Sequence, residues 1–259
     1  IACDRLMPES VPLGPSLRRI RCTLTAAEQK RLRELGAAVG HALEATCRSQ
    51  EPGQTEDEVA GQLSHRLVHR GIHPVAITAA ADGRAKRHPR AGVTTAPVRT
   101  SCLVGVIAMR AGLHVTAART VCFGPPSAEF RAQADAACRI IAAQAAAGLP
   151  GTAAAAVLQA GERVARLAGQ EDAWRSSPAG HVIGWLPVER PLPPATPLVL
   201  ERGWAVTWRA AIGPVIAADT YLVDSLPAAV TPPEQDLWPI VRITVQGRTF
   251  DVPDVLVRK

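Results

Sequence analysis

Aromatic side chains are scarce in this chain. Three Phe, one Tyr and five Trp are spread over 259 residues. Few rings are therefore available to stack on bases. The net charge is +6, from 29 Lys and Arg against 23 Asp and Glu. The arginines are scattered through Arg18–Arg21, Lys30–Arg33 and Arg84–Arg90, so no nucleic-acid partner is expected. A solvated surface, or a site for an anionic small molecule, accounts for them better. Runs of roughly 18 apolar residues are missing, as is a signal-peptide pattern, so no membrane partner is expected and the cytoplasm is the expected compartment. Six cysteines occur without a CxxC pair or metal-ligand spacing. Cys102, Cys122 and Cys138 lie in apolar runs and read as small buried hydrophobes. A Gly-x-Ser-x-Gly elbow is also absent, which argues against a serine hydrolase despite Ser176-Ser177. Nothing in the sequence calls for a cofactor.

What is present is a chain that is 47% hydrophobic and 20% charged, long enough to bury a sizeable core. Its length fits one large domain or two small ones, at roughly 100–200 residues each. Residues 1–24 are proline-rich and basic and read as an extended lead-in, leaving 25–259 as a single domain. Thr25-Ala-Ala-Glu28 and Thr55-Glu-Asp-Glu58 are capping boxes, each followed by apolar residues at helical spacing: Leu32, Leu35, Val39 and Leu43, then Val59, Leu63 and Leu67. Strands are expected at 74–80, 102–109 and 113–123, the last two turning at Ala111-Gly112. Helices follow at about 127–147 and 152–168. A second hairpin, 203–210 and 214–223, and a final strand pair after 240 complete the order. Helix–helix–hairpin occurs twice, without sequence identity between the halves, which implies an α+β domain with an internal pseudo-repeat.

One short motif stands out. In Gly180-His181-Val182-Ile183-Gly184, two glycines permit close backbone approach or a positive φ. The histidine between them has a side chain suited to carrying a proton or binding a metal near neutral pH. By itself the string has an equally plain reading, a strand-edge histidine between turn glycines.

Other stretches in the same order give it context. Ser49 to Glu58, His88, Gly112-Leu-His-Val-Thr-Ala-Ala-Arg-Thr120, Glu201 to Thr207 and Asp219-Thr-Tyr-Leu-Val223 each resemble segments of one family. This is the pita-bread fold family of methionine aminopeptidase, proline dipeptidase and creatinase. The resemblance runs over about residues 15–230. It implies two pseudo-related αα-plus-hairpin halves around a curved antiparallel sheet, and by analogy with creatinase a homodimer.

Peptidases of this family hold two divalent metals with two Asp, one His and two Glu. Laid on that pattern, the two Asp positions fall on Gly105 and Thr116, the His on His181, and the two Glu on Arg209 and Ala218. Four of five donors are lost and a cation replaces one of them, so no metal is expected. The resemblance to creatinase, which works without metal, makes His88 and His181 the candidate acid and base, with Glu189 as a third candidate catalytic group. Arg209 becomes a candidate anion anchor through its planar fork of donors. Thr116, His114, Trp185 and Trp208 are candidate substrate-binding residues. Plainer readings stand beside these: His-Pro turns are common on surfaces, Glu-Arg-Pro is an ordinary solvated exit, the tryptophans suit the core, and His114 suits a strand face.

The expected function is a metal-independent, creatinase-like hydrolase or lyase acting on a small polar, anionic molecule, with a place in specialised metabolism. The alternative is an inactive pseudopeptidase that holds a peptide or protein partner in the old cleft.

Overall fold

The computed structural model describes residues 2–3, 8, 11–12, 14–87, 92–176 and 179–258. A short parallel pair, β1 (Ala2–Cys3) and β2 (Val11–Pro12), precedes α1 (Gly14–Cys22). This helix departs from the extended lead-in expected for 1–24. After Pro15, whose fixed φ suits a first turn, Ser-Leu-Arg-Arg-Ile-Arg contains no further breaker. Tertiary contacts then hold it: Arg19 pairs with Glu201, Arg21 pairs with Glu189, and Cys22 is buried in the core.

Both predicted capping boxes form. Thr25 opens α2 (Ala26–Ser49) and Thr55 opens α3 (Glu56–Val68), each with the reciprocal glutamate contact to the cap N–H. Then come β3 (His73–Ala81), the four-residue α4 (Arg84–Arg87), β4 (Ser101–Arg110) and β5 (Leu113–Phe123). The β4–β5 turn has positive φ at Ala111 and Gly112, the backbone that two-residue hairpins favour.

The second half repeats the plan. Its helices are α5 (Ala128–Ala147), α6 (Ala154–Leu167) and the short α7 (Glu171–Arg175). They lead to β6 (Gly180–Ile183), β7 (Arg190–Pro191), β8 (Ala205–Ile212) and β9 (Val215–Leu222). The chain closes with β10 (Ala228–Ala229), β11 (Ile240–Val245), β12 (Arg248–Pro253) and β13 (Leu256–Arg258).

The main sheet runs β3-β4-β5-β9-β8-β6-β7. Six of these strands read as β3-β4-β5 against β6-β8-β9, which is the pseudo-repeat seen edge to edge. Among the described residues the two halves of the sheet are register partners at Ala117–Asp219 and Ala118–Ala218. Beyond that point β5 takes β13 as a parallel neighbour, so the C-terminal strand caps an otherwise open edge. The β11–β12 hairpin forms a separate two-stranded sheet.

The period-2 alternation of strands sends successive side chains to opposite faces. Cys102, Val104 and Ala108, with Val115, Ala117 and Val121, pack with α2 and α3 in one core. Val206, Trp208, Ala210 and Ile212, with Val215, Ala217 and Tyr221, pack with α5 and α6 in the other. The intervening residues, including Leu103, Ala118, Ile216 and Ala218, lie on the other face of the sheet. The alanine-rich α5 lets the sheet approach closely, as the many small residues in the sequence imply.

A close approach of another kind sits on α2. A Cβ on Gly36 would lie 2.0 Å from the Val230 carbonyl oxygen, so only glycine admits the 228–234 segment against this helix. The segment is held there by a buried ionic network. Arg119 donates to Glu44 (2.8 Å), to Asp219 (2.9 Å) and to the Thr231 carbonyl (3.1 Å). The Glu44 carboxylate in turn accepts the Glu234 N–H at 2.9 Å. Burial pushes the Asp219 carboxyl up to about 6, against the pull of Arg119 and the Thr231 hydroxyl. Burial pulls the Arg119 guanidinium down, but Asp219 and Glu44 outweigh it and raise it.

Candidate active site

On the face of the sheet opposite the helices is a cavity of about 510 Å³, within the ~300–1,000 Å³ typical of small-molecule sites. All five positions that the resemblance assigns to metal donors line it: Gly105, Thr116, His181, Arg209 and Ala218. The ladder explains the convergence. Arg209 is the register partner of Ala218, Ala218 of Ala118, Ala118 of Gly105, and Gly105 of Thr78. These residues form one row across four strand pairs, all pointing the same way, with Thr116 two positions from Ala118 on the same face.

Local structure fixes each side chain. His181 lies on β6, paired with Thr207 on one side and Pro191 on the other. The first glycine of its motif is required by packing: a Cβ on Gly180 would come 2.6 Å from the Thr207 carbonyl oxygen and 3.0 Å from the Trp208 ring. Gly184 has ordinary van der Waals space. The main chain of Arg209 is anchored by its N–H to the Ala179 carbonyl, at 2.9 Å. Thr116 is held through both backbone groups by the Thr220 hydroxyl, at 2.9 Å each. Its own Oγ1 is buried with no hydrogen-bond partner among the described residues.

The other sequence candidates fall elsewhere. Trp208 is fully buried in the helix-side core, because it neighbours Arg209 and strand alternation sends it to the opposite face. Trp185 is partly exposed and packs over Gly112. His114 is buried at the start of β5, its Nδ1 3.1 Å from the Gly184 carbonyl oxygen. None of the three lines the cavity. Nor does the Glu189 carboxylate, which is held by Arg21 at 3.2 Å and by the Leu186 N–H at 2.9 Å. It pins the chain after β6 to α1. His88 lies outside the described residues.

Asp219, the one carboxylate near these positions in sequence, is on the helix side with Arg119. Among the described lining residues there is no Asp or Glu, and no cluster of three His, Cys, Asp or Glu that could hold a metal occurs among the described residues. Hard divalent ions need carboxylate oxygens. One imidazole, one hydroxyl and a guanidinium do not provide the donor set of a two-metal centre.

Thr78, Leu103, Ile107 and Ile216, which carry no motif in the sequence, also line the cavity. The alternation of β4 would have placed Leu103 and Ile107 beside Gly105, but an unbroken apolar run conceals which face is which.

Architecture and sheet topology together define a protein of the pita-bread fold. The model of metallopeptidase family M24 matches residues 30–221, and the chain belongs to that family. Among solved structures it is similar to a prolidase from Pyrococcus furiosus, at 18% identity and TM-score 0.81, with 87% of this chain and 70% of that one covered. It is similar to an X-Pro aminopeptidase from Thermotoga maritima, at 14% identity and TM-score 0.81, covering 96% and 68%. A dipeptidase, PepE, from Mycobacterium ulcerans gives 24% identity and TM-score 0.76, covering 87% and 63%. None of the curated proteins compared matches the chain. Among the described residues no helix is long and apolar enough to cross a membrane.

Proposed function

We propose that this family member is a metal-independent hydrolase or lyase whose substrate is a small molecule bearing an anionic group. The observation that carries this reading is the cavity itself: His181 and Arg209 line it together, with no acidic residue among the described lining. Arg209 stands where the resemblance places a metal-binding glutamate, and its guanidinium offers five donors in a fixed fork suited to a carboxylate. His181 is the proton carrier, its imidazole able to give or take a proton near neutral pH. The Thr116 hydroxyl adds a donor or acceptor beside them. His88 keeps the role of second proton carrier that the resemblance gives it. Holding the substrate by its charge, with His181 alongside the bond to be broken, supplies orientation as well as proton transfer.

The test uses the purified chain stripped with chelator and a panel of carboxylate-bearing amides and esters. Turnover is expected without added metal and unchanged by Mn²⁺ or Zn²⁺. It should fall by about 10²–10⁴-fold in His181→Ala, and KM should rise in Arg209→Gln. Turnover that depends on added metal, or that survives intact in His181→Ala, would overturn the reading.

A further inference from the structure

We infer that the cavity selects a carboxylate with an uncharged aliphatic body and rejects one that carries an ammonium group beside its carboxylate. This rests on the reading of Arg209 as the anion anchor and extends it to the rest of the ligand.

The cavity wall decides the matter. Apart from His181, Arg209, Thr78 and Thr116, the described lining is aliphatic or glycine, with Ile77, Leu103, Val106, Ile107, Val188 and Ile216 supplying the bulk. Such a surface gains by covering apolar carbon. The same described wall offers no counter-charge to a cation. The described wall has no Asp or Glu. It has no Phe, Tyr or Trp, so no ring face is present to hold an ammonium. Two buried carboxylates adjoin lining residues in sequence and both are engaged: Asp219 by Arg119 and Thr231 on the other face of the sheet, and Glu189 by Arg21 and the Leu186 N–H. An ammonium buried here would leave water with no counter-charge and with Arg209 repelling it, which is costly. Thr116 Oγ1, buried and without a partner among the described residues, is left to bind a neutral polar atom of the ligand. An α-amino acid is therefore a poor fit, and a hydrophobic monocarboxylate a good one.

Isothermal titration calorimetry of the full chain at pH 7 tests this with four probes. They are 4-methylpentanoate, L-leucine (the same skeleton plus an α-ammonium), 4-methylpentanamide (the same skeleton without charge) and glycolate (a small polar anion). The expected result is that 4-methylpentanoate binds at least ten-fold tighter than each of the other three. In Arg209→Gln the preference over the amide should vanish, with the circular dichroism spectrum unchanged. Should that variant not fold, Ala218→Glu takes its place: the added carboxylate sits opposite Arg209 and should weaken 4-methylpentanoate at least ten-fold. Leucine or glycolate binding as tightly as 4-methylpentanoate overturns the selection while leaving the anchor intact. If 4-methylpentanoate binds no tighter than its amide, or if neither variant weakens it, the anchor fails as well.

Discussion

Arg209 stands directly opposite Ala218 in the β8–β9 ladder, at the head of a row that continues through Ala118 and Gly105 to Thr78. A guanidinium and a methyl group thus stand side by side where the resemblance places two glutamates.

If those positions are correctly assigned, the donor set can be rebuilt. Gly105→Asp, Thr116→Asp, Arg209→Glu and Ala218→Glu, combined with the native His181, should bind divalent ions more tightly than the parent chain does. The site accepts the change at its tightest point, because a Cβ on Gly105 meets nothing closer than 3.5 Å. Four carboxylates in one cavity repel one another, so the variant should be destabilised without metal and raised in Tm by Mn²⁺. Calorimetric titration and thermal melts with and without Mn²⁺ check it. No metal-dependent shift would count against the assignment.

Arg119 is the keystone of the helix-side network. Arg119→Met would leave Glu44 and Asp219 buried without their counter-charge. It is expected to lower stability by about 3–5 kcal/mol, read as a reduced urea midpoint. The pairing is with carboxylates at 2.8 and 2.9 Å, so a loss under about 1 kcal/mol, the scale of an exposed ion pair, would show that the network is not sealed from water.

Gly36 offers a test of sign. In an open helix Gly→Ala stabilises by about 1 kcal/mol. Here the new methyl would strike the Val230 carbonyl, and Gly36→Ala should instead cost about 1–3 kcal/mol from strain. A raised Tm would mean that the 228–234 segment does not lie against α2.

Glu56 ties stability to pH. Its buried carboxylate accepts from Arg84 (2.7 Å), the Ala81 N–H (2.8 Å), the Thr94 N–H (2.9 Å) and the Thr94 hydroxyl (2.7 Å). Burial raises the carboxyl, but these donors outweigh it and hold it below the ordinary glutamate range. A group whose folded pKa lies below its unfolded value stabilises above the unfolded pKa and loses that effect as pH falls through the folded one. Glu56→Gln should therefore be less stable than the native chain at pH 7, by about 1.5–3 kcal/mol for charge-assisted bonds. The gap should close as pH drops below about 4. Urea unfolding at a series of pH values measures it, and a gap that widens in acid would refute it.

Much of this was legible in the chain itself. Both capping boxes and the Ala111-Gly112 turn specify their elements locally, and the ordered motifs pointed to the pita-bread fold. The helix α1 was hidden because its stability comes from distant partners, Glu189 and Glu201, rather than from its own pattern. The same limit applied to Trp208, His114 and Glu189. Each is chemically fit for a site, but which way it points depends on sheet register or on a partner far along the chain.

Sequence alone therefore determined most of the elements and their order, because capping and turn chemistry are local. Only the tertiary structure decided that Gly105, Thr116, His181, Arg209 and Ala218 share one hollow, and that Asp219 does not. Those outcomes follow from strand register, which sends neighbouring residues to opposite faces and joins positions more than a hundred residues apart.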